Sequence, residues 1–267
     1  MRMPVLFVGH GNPMNAIERN EFYREWEALG RRLPQPRAIL CISAHWETHG
    51  AWVTATERPE TIHDFYGFPK ALFDVKYPAP GSPALAERVA GLVTSERVHL
   101  DPGRGLDHGA WSVLIAMYPA ADVPIVQLGI DTSRPGPHHY ELARQLAPLR
   151  DENVLIISSG NMVHNLRLFS FHDPTPQAWA LRCDEELRAR IDARDHRFLM
   201  DYETSGPEAR LAVPTPEHYY PLLYALALQD AGETAGFFNA RVVSAISMSS
   251  VLISGVLASF DQQGDSS

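Results

Sequence analysis

Residues 38–46 read AILCISAHW, seven apolar or small residues in line with a histidine where the run ends. Two further stretches repeat the pattern: VLFVGH at 5–10 and VLIISSGNMVH at 154–164. Short continuous runs rich in Val and Ile predict strands buried on both faces, the kind found in parallel sheets. Open sheets of that kind bind ligands beyond the carboxyl ends of their strands. The reading is therefore an α/β fold, a single domain with a central, largely parallel sheet flanked by helices. His10, His45 and His164 are delivered to one rim, the C-terminal rim of the strands, where three imidazoles can converge on a metal ion.

Outward from these runs, the chain alternates strand and helix signals. Residues 20–33 carry Phe22, Trp26, Leu29 and Leu33 at helical spacing, and Pro34 and Pro36 end the pattern. Residues 51–57 alternate and predict an edge strand. Residues 83–94 predict a helix capped by Ser82. A short strand at 98–100 leads to a loop at 103–111 and a helix at 110–118. A buried strand at 124–130 precedes a helix at 139–149, and a long amphipathic helix is expected at 177–194. Residues 204–214 read as a loop, and 216–229 as a helix opened by Thr215 and Pro216. Strands at 237–240 and 242–253 close a domain spanning 1–263, with 264–267 a frayed tail. Residues 58–83 are rich in Pro, Gly and aromatics; a loop so long and so aromatic predicts an ordered pocket wall.

The chain has 267 residues, within the range of one large α/β domain of roughly 250 residues. A net charge of −9 without a basic cluster offers nothing to nucleic acid or an anionic membrane. Cys41 and Cys183 form no metal-type pair and are expected to be reduced, buried thiols of a cytoplasmic protein. The N-terminal apolar run is too short for a signal peptide or a membrane span.

The pointed feature of the composition is twelve histidines. His49, His99, His138, His139, His172 and His196 lie in polar settings and read as solvated surface, while His63 either lines the pocket or orders its loop. His108 stands between Asp107 and Gly109 at a helix entrance. Asp107 either fixes the tautomer of His108 or simply caps the helix. Helical periodicity places His218 on the stripe of Leu222, Ala225 and Leu226, and turns Glu217 about 100° away.

Seven blocks carry a resemblance: GHGNPMN at 9–15, SAHW at 43–46, TIHDFYGFP at 61–69, YPAPGSP at 77–83, DHGAWSVL at 107–114, SGNMVHNLR at 159–167 and PTPEHYYPLLY at 214–224. In this order they resemble the DODA-type extradiol ring-cleavage dioxygenases of the LigB superfamily. The resemblance implies one divalent metal held by His10, His45 and His218, with His164 beside them as a further ligand or an acid/base group. It gives Asp107 and His108 acid/base work, a small DOPA-like catechol and O2 as substrates, and His63, Phe65, Tyr66 and Phe68 as a wall against the ring. A site of neutral nitrogens departs from the usual two-histidine, one-carboxylate iron pattern and also suits zinc. Fe(II) is the expected catalytic ion and Zn(II) an alternative occupant. Two other readings stay open: a zinc hydrolase with Glu217 as base, and a metal-binding protein of this fold without turnover.

Overall fold

The computed structural model describes residues 2–202 and 205–255; the expected tail at 264–267 lies outside the described residues. Eight strands form one sheet. Its centre is four parallel strands in the order β5 (Ile125–Ile130), β2 (Ala38–Glu47), β6 (Val154–Gly160) and β1 (Val5–Gly9). Beyond β5 lie β3 (Ala51–Thr54), which pairs antiparallel, and β4 (Val98–Asp101) at the edge. Beyond β1, two antiparallel strands complete the sheet, β10 (Ser250–Ser254) and the edge strand β7 (Thr234–Phe238).

Because side chains alternate along a strand, each central strand feeds two cores. Val5, Phe7, Leu40 and Ile42 face one. There they pack under α3 (Pro83–Leu92), α5 (Gly136–Arg144), α7 (Ala178–Asp192) and α10 (Tyr220–Ala227). Leu6, Val8, Ile39 and Cys41 face the other, covered by α1 (Glu21–Arg32) and α4 (His108–Met117). This two-sided burial is what the unbroken apolar runs predicted. Asn20 and Ser82 cap α1 and α3, accepting from Tyr23 N at 3.1 Å and Leu85 N at 3.2 Å. Both cysteines are buried and free. Among the described residues no helix is long and apolar enough to cross a membrane.

Several local expectations are corrected. β3 is interior rather than an edge, because β4 pairs with its outer side. α4 begins at His108, two residues early, because Asp107 caps it. The helix expected at 139–149 is two, α5 and α6 (Pro148–Asp151), since Pro148 has no N–H to continue the hydrogen-bond ladder of α5. The loop expected at 204–214 contains α9 (Pro207–Ala212), and α8 (His196–Met200), capped by Asp195, was not anticipated. The last long helix starts at Tyr220 rather than 216. Its first-turn proline is Pro221, and the Thr215 hydroxyl donates to Glu217 Oε1 instead of capping. The strand expected at 242–253 is broken into β8 (Val242–Val243), β9 (Ile246–Ser247) and β10, with Ser244 left-handed at φ 53° in the turn. The aromatic loop also holds a short helix, α2 (Lys70–Phe73).

Candidate metal centre

Five histidines meet at the C-terminal rim of the sheet, each set by a different element. His10 follows β1; its N–H donates to Gly160 O at 3.1 Å, and Asn15 Nδ2 donates to its carbonyl at 3.0 Å. The chain then turns through Gly11 at φ 60°, a left-handed conformation that glycine adopts without cost. His45 rides an irregularity of β2, whose register against β5 slips between Ile42 and Glu47. Such a bulge re-aims a side chain next to a site. His108 is the first residue of α4. His164, beyond β6, donates its N–H to Ala212 O at 2.8 Å. His218 lies in the turn before α10, and its carbonyl accepts from Asn161 N at 2.8 Å. A Cβ on Gly160 would stand 2.1 Å from that carbonyl oxygen, so only glycine lets the turn reach the end of β6.

The ring centroids of His10 lie 5.0 Å from His45 and 5.4 Å from His218, and those of His45 and His218 are 4.9 Å apart. One nitrogen from each of the three falls within 4.8 Å of the others. The opposite nitrogens fix the tautomers. Ser159 Oγ donates to Gly109 O at 2.6 Å, so His10 Nδ1, 3.0 Å from the same oxygen, is the donor there. His218 Nδ1 donates to Glu217 Oε1 at 3.1 Å, and His45 Nδ1 faces Asp64 Oδ2 at 3.5 Å. Each Nε2 is thereby left as a lone pair, yet the Nε2 atoms of His10 and His45 are 3.0 Å apart. Two lone pairs at that distance repel unless a cation lies between them. The donor set therefore fits a divalent ion bound by neutral imidazoles.

Electrostatics agree with neutral rings. Burial, and then the neighbouring histidines, hold His10 and His218 well below the usual imidazole range. Burial followed by His108 does the same to His45, and lowers His164 to about 4. His164 stacks flat on His218, centroids 3.5 Å apart at 11°. It groups with Glu217 and His218, outside the His10–His45–His218 set.

The carboxylate beside His108 is not the expected one. Asp107 is fully buried and caps α4, accepting from Ala110 N at 3.2 Å, Ser43 Oγ at 2.6 Å and Gln127 Nε2 at 2.7 Å. Burial, then the charge of Asp64, raise its carboxyl above the usual value. Its oxygens are engaged by the scaffold, the capping alternative of the two readings of Asp107. Asp64, missed in the sequence, takes the place beside the imidazole. Its Oδ1 accepts the backbone N–H of His108 at 3.0 Å and lies 3.0 Å from His108 Nδ1, off the line of a good hydrogen bond. Burial pushes the Asp64 carboxyl up, but its contacts with His108, the backbone N–H included, outweigh this and hold it below the usual carboxylate range. The one signal in the sequence was its place inside TIHDFYGFP, between a histidine and three aromatics.

A cavity of about 440 Å³ opens over these rings. His10, His45, His108, His164 and His218 form its floor, with Asp64 in the wall. Phe65, Tyr66 and Phe68 line one side as expected, while Leu166, Phe169 and Phe171 line the other, a wall the sequence did not announce. Tyr66 is 91% exposed and stands at the mouth. His63 does not line the cavity: its Nε2 bonds Val75 O at 3.0 Å and its ring packs on Trp111, so it orders the loop. His139 corrects the surface reading most sharply, being 1% exposed and bonded to Tyr224 Oη and Asp131 O at 3.1 Å each. His138 and His196 are also partnered, by Glu96 at 2.8 Å and Tyr140 Oη at 2.7 Å. His49 and His172 are exposed.

Comparisons with known proteins cover nearly the whole chain. Residues 4–251 match the family described as the catalytic LigB subunit of aromatic ring-opening dioxygenase. The chain is 50% identical over 238 residues to a protein of Escherichia coli K12 named 4,5-DOPA dioxygenase extradiol, covering 87% of each chain. It is 42% identical over 237 residues to a Beta vulgaris protein of the same name, covering 86% of this chain and 87% of that one. The crystal structure of an uncharacterised Escherichia coli K12 protein superposes with a TM-score of 0.84 at 44% identity, covering 95% of this chain and all of that one.

Proposed function

The chain belongs to the LigB family of aromatic ring-opening dioxygenases and is an extradiol ring-cleaving enzyme; we propose that it opens a small DOPA-like catechol with O2 at one divalent metal held by His10, His45 and His218. The observation that carries this reading is the convergence of three neutral Nε2 donors, each backed at Nδ1 by an oxygen of Ser159, Asp64 or Glu217. Glu217 is thereby a partner of His218 rather than a ligand. Fe(II) bound there supplies the electron path between catechol and O2 that redox-inert Zn(II) lacks.

The remaining work falls to the chain. The floor of histidines presents the ion to a cavity large enough for one flat ring, with Phe65 and Phe68 in its wall and Tyr66 at its mouth. A catechol must lose a hydroxyl proton to bind as an anion, and a proton must return to the leaving oxygen. His164 and His108, both on the cavity floor, take the catechol proton and return one to the leaving oxygen. Each such transfer contributes about 10²–10⁴-fold. The DOPA-like class rests on the names of the similar proteins. The acidic chain and its two buried thiols favour a cytoplasmic setting.

The test is anaerobic loading with Fe(II), then oxygen uptake and product mass across a catechol panel. The expected product gains both oxygen atoms of one O2. His108→Gln should keep its iron and lose about 10²–10⁴ in kcat, whereas His10→Ala and His218→Ala should lose the iron itself. A protein shown to carry Fe(II) that consumes no oxygen with any catechol would overturn the proposal.

A further inference from the structure

We propose that Asp64 is a positioning residue that aims one metal-site histidine and one acid/base histidine together, a reading that rests on the ring-opening site above. Its carboxylate stands behind both rings: Oδ2 is 3.5 Å from His45 Nδ1, and Oδ1 is 3.0 Å from His108 Nδ1. Catalytic hydrogen bonds of this kind are commonly long or misaligned before substrate binds. The two nitrogens of an imidazole point away from each other, and His45 Nε2 faces His10 Nε2 at 3.0 Å. A group at His45 Nδ1 therefore cannot share an ion bound at Nε2. It instead fixes the tautomer and strengthens the donor, the usual task of a carboxylate behind a ligating histidine.

Asp64 is itself held in place. Ile62 N donates to Leu106 O at 2.8 Å, Trp111 Nε1 donates to Ile62 O at 2.8 Å, and His63 is pinned to Val75 O. Its Oδ1 also accepts the first N–H of α4, at His108. One carboxylate thus ties the loop that carries Phe65, Tyr66 and Phe68 to the helix that carries His108 and to the strand that carries His45. Placement of the substrate wall and of the two histidines becomes a single event.

The experiment compares the full-length protein with Asp64→Asn, which keeps an acceptor for the His108 N–H, and with Asp64→Ser should the first fold poorly. Metal affinity is read on metal-free protein by chelator competition with Zn(II), without any turnover. The expected result is one ion per chain bound about 10–100-fold more weakly. With Fe(II), kcat should fall by a similar factor, more than the catechol KM rises, because the loop keeps its own backbone and His63 bonds. In a His108→Gln background the same change should lower kcat much less, because the two act as one unit. Loss of stoichiometric metal, as in His10→Ala, would make Asp64 a ligand and overturn the proposal. Unchanged affinity and kcat would reduce it to a loop tether and overturn it equally. If the wild type binds Zn(II) yet opens no catechol with Fe(II), the ring-opening reading falls while the affinity arm still decides the role of Asp64 at His45.

Discussion

His139 carries a pH sensitivity of the fold that lies outside the site. Burial, and then the charge of His138, lower it to about 4, and its ring is held between Asp131 O and Tyr224 Oη. In the unfolded chain it titrates near the ordinary value of about 6.5. The folded value is depressed, so the unfolded state binds the extra proton between those two values. The stability from neutral His139 is complete above about pH 6.5 and is lost as pH falls toward 4. The loss amounts to about 3 kcal/mol. Urea unfolding at pH 8, 6 and 4.5 should show a steeper decline for the wild type than for His139→Gln. Parallel declines would place the sensitivity in the site histidines alone.

At the scale of elements, the site depends on how closely the turn before α10 approaches the end of β6. Gly160 permits that approach, since a Cβ there would overlap the His218 carbonyl oxygen at 2.1 Å, a backbone atom with little room to yield. Gly160→Ala should cost about 1–3 kcal/mol as overpacking does, and should weaken metal binding because the turn carries His218. Gly91 in α3 is the control, because a Cβ there meets nothing within 4 Å. Gly91→Ala should raise stability by up to about 1 kcal/mol and leave metal affinity alone. Thermal melts with and without Zn(II) read both effects; equal metal affinity in the two variants would refute the packing argument.

Across the whole molecule, the fold is clasped on the side opposite the site by Arg150. Its guanidinium is fully buried, donates to Met3 O at 2.7 Å and Leu228 O at 2.6 Å, and pairs with Glu233. It thereby joins the lead into β1, the end of α10 and the approach to β7. Removing one partner of a buried ion pair strands the other, at about 3–5 kcal/mol. Arg150→Ala should lower Tm by roughly 6–20 °C for a chain of this size. Replacing both partners, Arg150→Met with Glu233→Leu, should recover part of that loss. A single variant that melts like the wild type would show that the clasp contributes nothing.

Much of the architecture was legible in the sequence because it is encoded locally. An unbroken apolar run such as residues 38–46 can satisfy both its faces only inside a covered sheet, so composition alone specified the layering. The same runs ended in His10 and His45, and the strand ends placed them at one rim. What was not local was not legible. The carboxylate behind His108 is Asp64, 44 residues away, rather than its chain neighbour Asp107, because the helix cap had already claimed Asp107. His218 is buried, yet the helix invoked for it starts only at Tyr220. Its position is set by contact with Gly160, which no helical period could reveal. His139 sits in a polar stretch of sequence and is buried by Tyr220 and Tyr224, which α10 lays against it. Strand identity follows from which residues adjoin along the chain, whereas a hydrogen-bond partner or a ring neighbour follows from which elements meet, and only the packed fold decides that.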